Sequence, residues 1–276
     1  MNLSIRGIGF VGAALADWTE AAAALRGGDA PGHMPLAELG RALKADRLPR
    51  TERRRAGKST RLAMTACWEA VESAGLDPAT LPMVFASSTG DTEVLTQSCA
   101  SLAEPERMIS PIRFHNSVHN AASGYWSIAV GAREPATAIA AHHETAAVGL
   151  LEAAMQATLG NQPVLLAVYD LPFPEPMCRA EPIAEPMAVG LVIAPAQAGD
   201  VHRVTLGMAE GNGPVEGVLG HPDWERMRRG VPAGRLLPLL DAIARGESRQ
   251  LHLVMDGTDG LEVNYQVNNA TQHHDR

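Results

Sequence analysis

Ala136-Thr137-Ala138-Ile139-Ala140-Ala141-His142-His143-Glu144-Thr145 is a short apolar run that stops at two histidines and a carboxylate, then turns at once into an Ala-rich pattern. The run reads as a strand over 136–141 and the Ala-rich pattern as a helix from Thr145 to Gly160, so the stretch is a strand-turn-helix elbow. Upstream, 118–130 reads as a buried helix in which Ala121, Ala122, Ser123 and Gly124 permit close backbone approach, closed by Gly131. Before it come a strand at 83–87, a turn at 88–90, a polar helix from Asp91 that carries Cys99, and a loop over 105–116. Farther upstream, a strand at 4–10 precedes a long helix after Pro49, with Leu62, Ala66 and Ala70 beside Ala63, Cys67 and Val71 on its apolar side and Gly75 at its end.

Downstream of the elbow, strands are expected at 163–169, 188–194 and 201–208, with the Pro-rich loop 171–186 at a surface or interface. A Gly- and Pro-rich connection leads to a helix at 236–244 and a hairpin of 251–255 and 261–267 around Asp259-Gly260, and the tail from Asn268 is expected to be disordered. Short β-branched runs alternating with Ala-rich helices place the chain in the α/β (α+β) class, with a mostly parallel central sheet covered by helices. The expected organisation is a first half over 1–170, a reduced second half over 171–267 with strands and one helix, and the tail 268–276.

Composition narrows the function. The chain has 276 residues, 46% hydrophobic and 20% charged, enough to bury a sizeable core. Its formal net charge of -8, from 23 Lys+Arg against 31 Asp+Glu, argues against a broad nucleic-acid or anionic-membrane surface. Three cysteines, Cys67, Cys99 and Cys178, have no paired spacing and support neither a disulfide framework nor a CxxC zinc site. No stretch reaches the roughly 20 apolar residues of a membrane helix, and the N-terminal stretch has no polar cleavage region after its apolar run. The expectation is a cytoplasmic protein.

Several motifs have both a structural and a chemical reading. Gly7, Gly9 and Gly12 form GxGxxG after the first strand, but the acidic residue that a dinucleotide site needs at the end of a second strand is missing, because Asp29 lies in a Gly/Pro loop. The glycines are therefore assigned to close packing. Arg50, Arg53, Arg54, Arg55 and Lys58 reverse the global charge locally, which fits either a solvated helix face or an acidic partner. Cys99 has the surroundings of an ordinary helical residue, Cys67 lies on an apolar stripe and Cys178 in the Pro-rich loop, so none is placed as an activated thiolate. His142, His143 and Glu144 could be a base pair or metal ligands, but adjacent side chains at a strand end point to opposite sides and no HExxH spacing follows. They are assigned a structural or pocket-lining place, with no metal and no cofactor. His115 and His119, which bracket Asn116, carry the same ambiguity.

Residues 1–170 together resemble the N-terminal half of a β-ketoacyl synthase of the thiolase superfamily. The helix ending Gly75-Leu76-Asp77-Pro78 is similar to the family's AxxAxxxAGLDP-like helix, and Phe85 to Gly90 to the strand and glycine turn after it. Asn120-Ala121-Ala122-Ser123-Gly124, Ser127-Ile128, Gly131 and Pro135 follow the family spacing without a gap, with Glu134 in place of the second usual glycine. In that register the Thr-Ala-Cys that ends the next strand in active members is Ala141, His142 and His143, so the resemblance makes His143 a vestigial nucleophile position. No HGTGT-like run surrounds His202, His221 or His252. A condensing enzyme needs a soft nucleophile that forms a stable thioester, and an acyl-imidazole hydrolyses too readily to hold a chain.

The resemblance therefore implies a truncated thiolase-like fold and a catalytically silent homologue, most similar to chain-length-factor subunits of the aryl-polyene pigment kind. Such a subunit forms a heterodimer with a full-length ketosynthase and shapes its acyl tunnel. It would place Ala138, Ala140, His119, Asn120 and Tyr125 at the interface or tunnel, and Arg50, Arg53, Arg54, Arg55 and Lys58 at an acyl carrier protein. The competing expectations are a free-standing acyl-transfer enzyme using Cys99 or the His142-His143-Glu144 site, and a purely scaffolding dimer subunit.

Overall fold

The first strand, β1 (Asn2–Gly12), runs through the middle of one sheet, and nearly all of its residues are buried. A bulge at Arg6 shifts its register against β5 (Met187–Pro195) and keeps Ile5 and Ile8 on the same face despite their spacing of three. The computed structural model describes residues 1–33, 43, 47–209, 219–256 and 259–268. Its eight strands also include β2 (Met83–Ala86), β3 (Ala136–Ile139), β4 (Val164–Asp170), β6 (His202–Ala209), β7 (Arg249–Asp256) and β8 (Asp259–Val267), in the order β3-β2-β4-β5-β1-β6-β8-β7.

The α/β class holds, but the mostly parallel sheet does not. Among the described residues only β2 pairs in parallel, with β3 on one side and β4 on the other, and every other pair is antiparallel. Helices lie between β2 and β3 and between β3 and β4, the parallel part, and also between β6 and β7, which flank β8, whereas β7 and β8 form a hairpin.

Helices cover both faces. The helices α1 (Trp18–Gly27), α2 (Arg50–Arg55), α3 (Lys58–Ala74), α4 (Thr92–Ala103), α5 (Pro111–Asn116), α6 (Ala121–Val130), α7 (Thr145–Gly160), α8 (Pro222–Gly230) and α9 (Leu237–Arg245) follow in chain order. On one face α3 and α6 pack over Met83, Phe85, Leu165 and Ala167, while on the other α7 packs over Val84, Ala86, Leu166 and Val168, with α1 against β1 and α9 against β7 and β8 in the same core. Consecutive strand residues thus serve opposite cores, as the pleat requires.

GxGxxG is a packing device. A Cβ on Gly9 would lie 2.0 Å from the Ala66 carbonyl of α3, and one on Gly190, its cross-strand partner, 2.4 Å from the same atom. Only glycines let α3 approach the sheet this closely.

Some boundaries differ from expectation. The long helix after Pro49 is two, α2 and α3, broken at Ala56-Gly57, and the expected loop at 105–116 contains α5, with Pro111 at its start. Among the described residues the second half carries two helices and not one: α8 begins at Pro222, with His221 accepting from the Asp223 amide, and its acidic first turn and basic last turn suit the helix dipole. The expectation of a disordered tail falls outside the described residues except for Asn268. Among the described residues, no helix is long and apolar enough to cross a membrane.

Candidate functional site

The elbow lies at the edge of the sheet, where, among the described residues, β3 pairs only with β2. After Ile139 the chain passes Ala140 and Ala141, makes a 3-10 turn over His142–Glu144, and enters α7 at Thr145. His143 stands two residues before that helix, where the gapless register puts it. Thr145, fully buried, fixes the turn, because its Oγ1 accepts the Ala141 amide at 2.9 Å and donates to the His142 carbonyl at 2.7 Å. His142 takes a left-handed φ of 50°, a conformation in which His is more tolerated than β-branched residues.

This turn corrects the expectation for the two histidines. They stand on a one-turn bend, not on a strand, so their rings meet edge to face with centroids 4.1 Å apart instead of pointing to opposite sides. The carboxylate that faces them is also a different one. Glu181, from the loop after β4, lies with its oxygens 3.4 Å from His142 Nε2 and 3.8 Å from His143 Nε2. Glu144, at the N-cap position of α7, makes no side-chain capping bond. Glu181 is the site residue the sequence reading missed, since nothing in an irregular loop signals a contact with a segment so far upstream.

Beside the elbow, a buried carboxylate ties three segments together. Asp170, at the end of β4 and wholly inaccessible, accepts from the Ser88 amide at 2.8 Å, Ser88 Oγ at 2.7 Å and the Ala233 amide at 2.9 Å. Burial outweighs these donors and raises its pKa to about 6. Ala233 belongs to a 3-10 turn over Pro232–Leu236 that lies against the turn carrying the histidines.

The residues expected at an interface or tunnel divide. Ala138 is half-buried on the free edge of β3, and Ala140 is exposed just beyond it. His119 bonds through Nε2 to the Ser87 carbonyl at 2.9 Å, and Asn120 occupies the N-cap position of α6 without a side-chain cap. Tyr125 faces inward, against its expected place on a contact surface: its ring is buried and its hydroxyl donates to Asn116 Oδ1 at 2.9 Å. The helix expected to be buried over 118–130 is buried on one side only. Ala122, Ser123, Tyr125 and Trp126 point into the core, whereas Gly124 and Ile128 face outward, as does Val118 before the helix.

The basic cluster is also selective. Lys58 pairs with Glu93 at 2.6 Å, and Arg53 donates to the Leu48 carbonyl at 3.1 Å, so both are engaged within the chain. Arg55 lies 3.7 Å from Glu52, and no carboxylate among the described residues pairs with Arg50 or Arg54. Arg50, Arg54, Arg55 and Ile112 line an open groove of about 520 Å³.

No thiol is placed for chemistry. Cys67 is fully buried in α3, where burial pushes its pKa up, and Cys178 sits on a 3-10 turn with its pKa raised by desolvation and by Glu175. Cys99 is exposed in the middle of α4, away from a helix N-terminus.

A sheet covered by helices on both faces, with a strand-turn-helix elbow at its edge and no cysteine at that elbow, is the frame the chain presents. Residues 18–217 match the family described as β-ketoacyl synthase, N-terminal domain, and the chain belongs to that family. Solved structures with the same fold include the ketosynthase (ApeO) in complex with its chain length factor (ApeC) from Xenorhabdus doucetiae, at 20% identity and a TM-score of 0.67, covering 96% of this chain and 99% of that one. The ishigamide ketosynthase/chain length factor aligns at 15% identity and a TM-score of 0.72, covering 97% and 99%. The type II ketosynthase complex AntDE:AntF aligns at 12% identity and a TM-score of 0.68, also covering 97% and 99%. No curated protein matches the sequence.

Proposed function

We propose that this chain is a non-catalytic, chain-length-factor-type subunit that pairs with an active β-ketoacyl synthase through the β3 edge and the outer face of α6. The observation that carries the reading is His143 at the elbow, since an imidazole there cannot hold an acyl chain as a stable thioester. The surface beside the elbow supports partnership. Phe114, Val118 and Ile128 are 66%, 50% and 51% exposed, a density of large apolar side chains that a lone domain rarely shows to water. Val118 and Ile128 line a groove of about 160 Å³ together with Gly124, where close approach by a second backbone meets no side chain. The free edge of β3 offers unpaired backbone groups of the kind a second strand satisfies.

Two of the structural neighbours are ketosynthase–chain length factor complexes, and a third contains a carrier protein, which supports the same assembly here. In that assembly Ala138, Ala140, His119 and Asn120 lie near the shared surface and shape the partner's acyl tunnel, and the groove of Arg50, Arg54 and Arg55 receives an acidic acyl carrier protein. The partner extends a polyene- or fatty-acid-type chain, and the complex works in the cytoplasm.

Co-expression with a full-length ketosynthase tests this directly. A heterodimer is expected on size exclusion, and Ala138→Asp should abolish both the complex and elongation, because an unpaired carboxylate at a desolvated contact costs several kcal/mol. Cys99→Ala should leave elongation intact. A monodisperse monomer that ignores the ketosynthase, or a product whose length is the same without this chain, would refute the reading.

A further inference from the structure

We propose that His142, His143 and Glu181 form a binding site for a divalent transition-metal ion of the zinc type. The three side chains offer two imidazole nitrogens and a carboxylate, all within 4.8 Å of one another. Their spacing is what marks them. The Nε2 atoms of His142 and His143 lie 3.4 and 3.8 Å from the two Glu181 oxygens, beyond the roughly 2.7–3.2 Å of a direct hydrogen bond. A tetrahedral ion with bonds of about 2.1 Å holds its ligands roughly 3.4 Å apart, so the observed gaps suit an ion between the groups better than a contact across them.

The local structure prepares two of the three ligands. Buried Thr145 fixes both ends of the bend, and the left-handed backbone at His142 brings its ring against that of His143. The Glu181 loop and the two imidazoles then close around the ion from a spread of at most 4.8 Å. The N-terminus of α7 disfavours a cation, and the negative charges of Glu181 and neighbouring Glu144 oppose that effect. Two imidazoles with one carboxylate suit zinc, cobalt or nickel. They offer too few oxygens for calcium or magnesium. His142 is 64% exposed at its side chain, so a fourth position opens outward to water. A bound ion would also join the elbow to the loop after β4. The proposal does not depend on the partnership reading, because it concerns the chain alone.

The test is calorimetric titration of the full chain with zinc chloride, with His273→Ala and His274→Ala in the background so that the terminal histidines do not contribute. One equivalent of zinc per chain is expected, and magnesium chloride should give no binding heat. His142→Ala, His143→Ala and Glu181→Gln should each weaken zinc by more than the roughly 10–100-fold that loss of a group outside the ligand set costs. Melting in the presence of a chelator should be the same for all, which establishes that these surface variants fold. Stoichiometric zinc on that background, lost in the three variants, supports the site. Absence of binding, or zinc affinity kept within severalfold in all three variants, means an adventitious ion only and overturns it.

Discussion

Replacing Asp170 with Asn should change how stability depends on pH, in a direction fixed by the buried carboxylate. The folded pKa is about 6 against an ordinary value of 3.8, so the folded chain holds this proton more tightly than the unfolded chain does. Stability from this group is therefore greatest at low pH and falls as pH rises from about 3.8 to 6, after which it is flat. At 1.36 kcal/mol per unit the full change is about 3 kcal/mol, of which about 2 kcal/mol falls between pH 4.5 and 7.5. Asp170 is wholly inaccessible, so solvent screening does not reduce this. An amide cannot titrate, and it turns an N–H toward the Ala233 amide, adding a cost of about 1–3 kcal/mol that does not change with pH. Urea unfolding of both proteins, followed through buried Trp126 and Trp224, gives the comparison. The wild type should lose about 2 kcal/mol relative to the variant between pH 4.5 and 7.5. Every other titrating group cancels in this difference. A gap that stays constant, or that moves the other way, would refute the account of Asp170 as a carboxyl dominated by burial.

Other outcomes follow from packing and charge. Gly9→Ala should cost about 3 kcal/mol in denaturant unfolding, because the new methyl meets the Ala66 carbonyl, which cannot move without disturbing α3. Gly124→Ala, in open space on α6, should raise stability of the isolated chain by about 0.5–1 kcal/mol while weakening the proposed heterodimer. Glu225, held at about pKa 2 chiefly by its hydrogen bond with Arg228, should contribute stability above pH 4.5 that solvent screening keeps to about 1 kcal/mol and that is lost as pH falls toward 2; Glu225→Gln removes that dependence in acid titration of stability. Maleimide should label Cys99 in the native chain at once and Cys67 only on unfolding, as followed by mass spectrometry.

The sequence carried local signals well and pairing poorly. Glycines 75 and 131 cap their helices in the left-handed region, and the elbow falls at the turn expected from its residues, because each depends on neighbours along the chain. Strand direction depends on partners far away. β4 and β5 are buried from end to end, a pattern that central strands of parallel and antiparallel sheets share. A hint was present in β6, where Val204 and Leu206 are buried between exposed Arg203, Thr205 and Gly207, the alternation of an antiparallel strand with one wet face. Pro222 with Asp223 and Glu225 in the first turn likewise announces α8, but its polar composition hides the apolar pair Trp224 and Met227 that it buries.

The candidate site divides along the same line. His143 was legible because a gapless spacing from Asn120 counts residues along one chain segment. Glu181 was not, because a loop with no period gives no way to know which distant turn it approaches, and the choice of Glu144 as the facing carboxylate rested on sequence adjacency alone. Adjacency misleads at a bend. On a strand, neighbours point apart, but a single residue at φ 50° reverses the chain enough to bring His142 and His143 together. The same reversal puts both imidazoles toward the loop that follows β4, where Glu181 completes the ligand set proposed above. An elbow without a thiol need not be inert, and zinc titration distinguishes a turn that only shapes the fold from one that binds an ion.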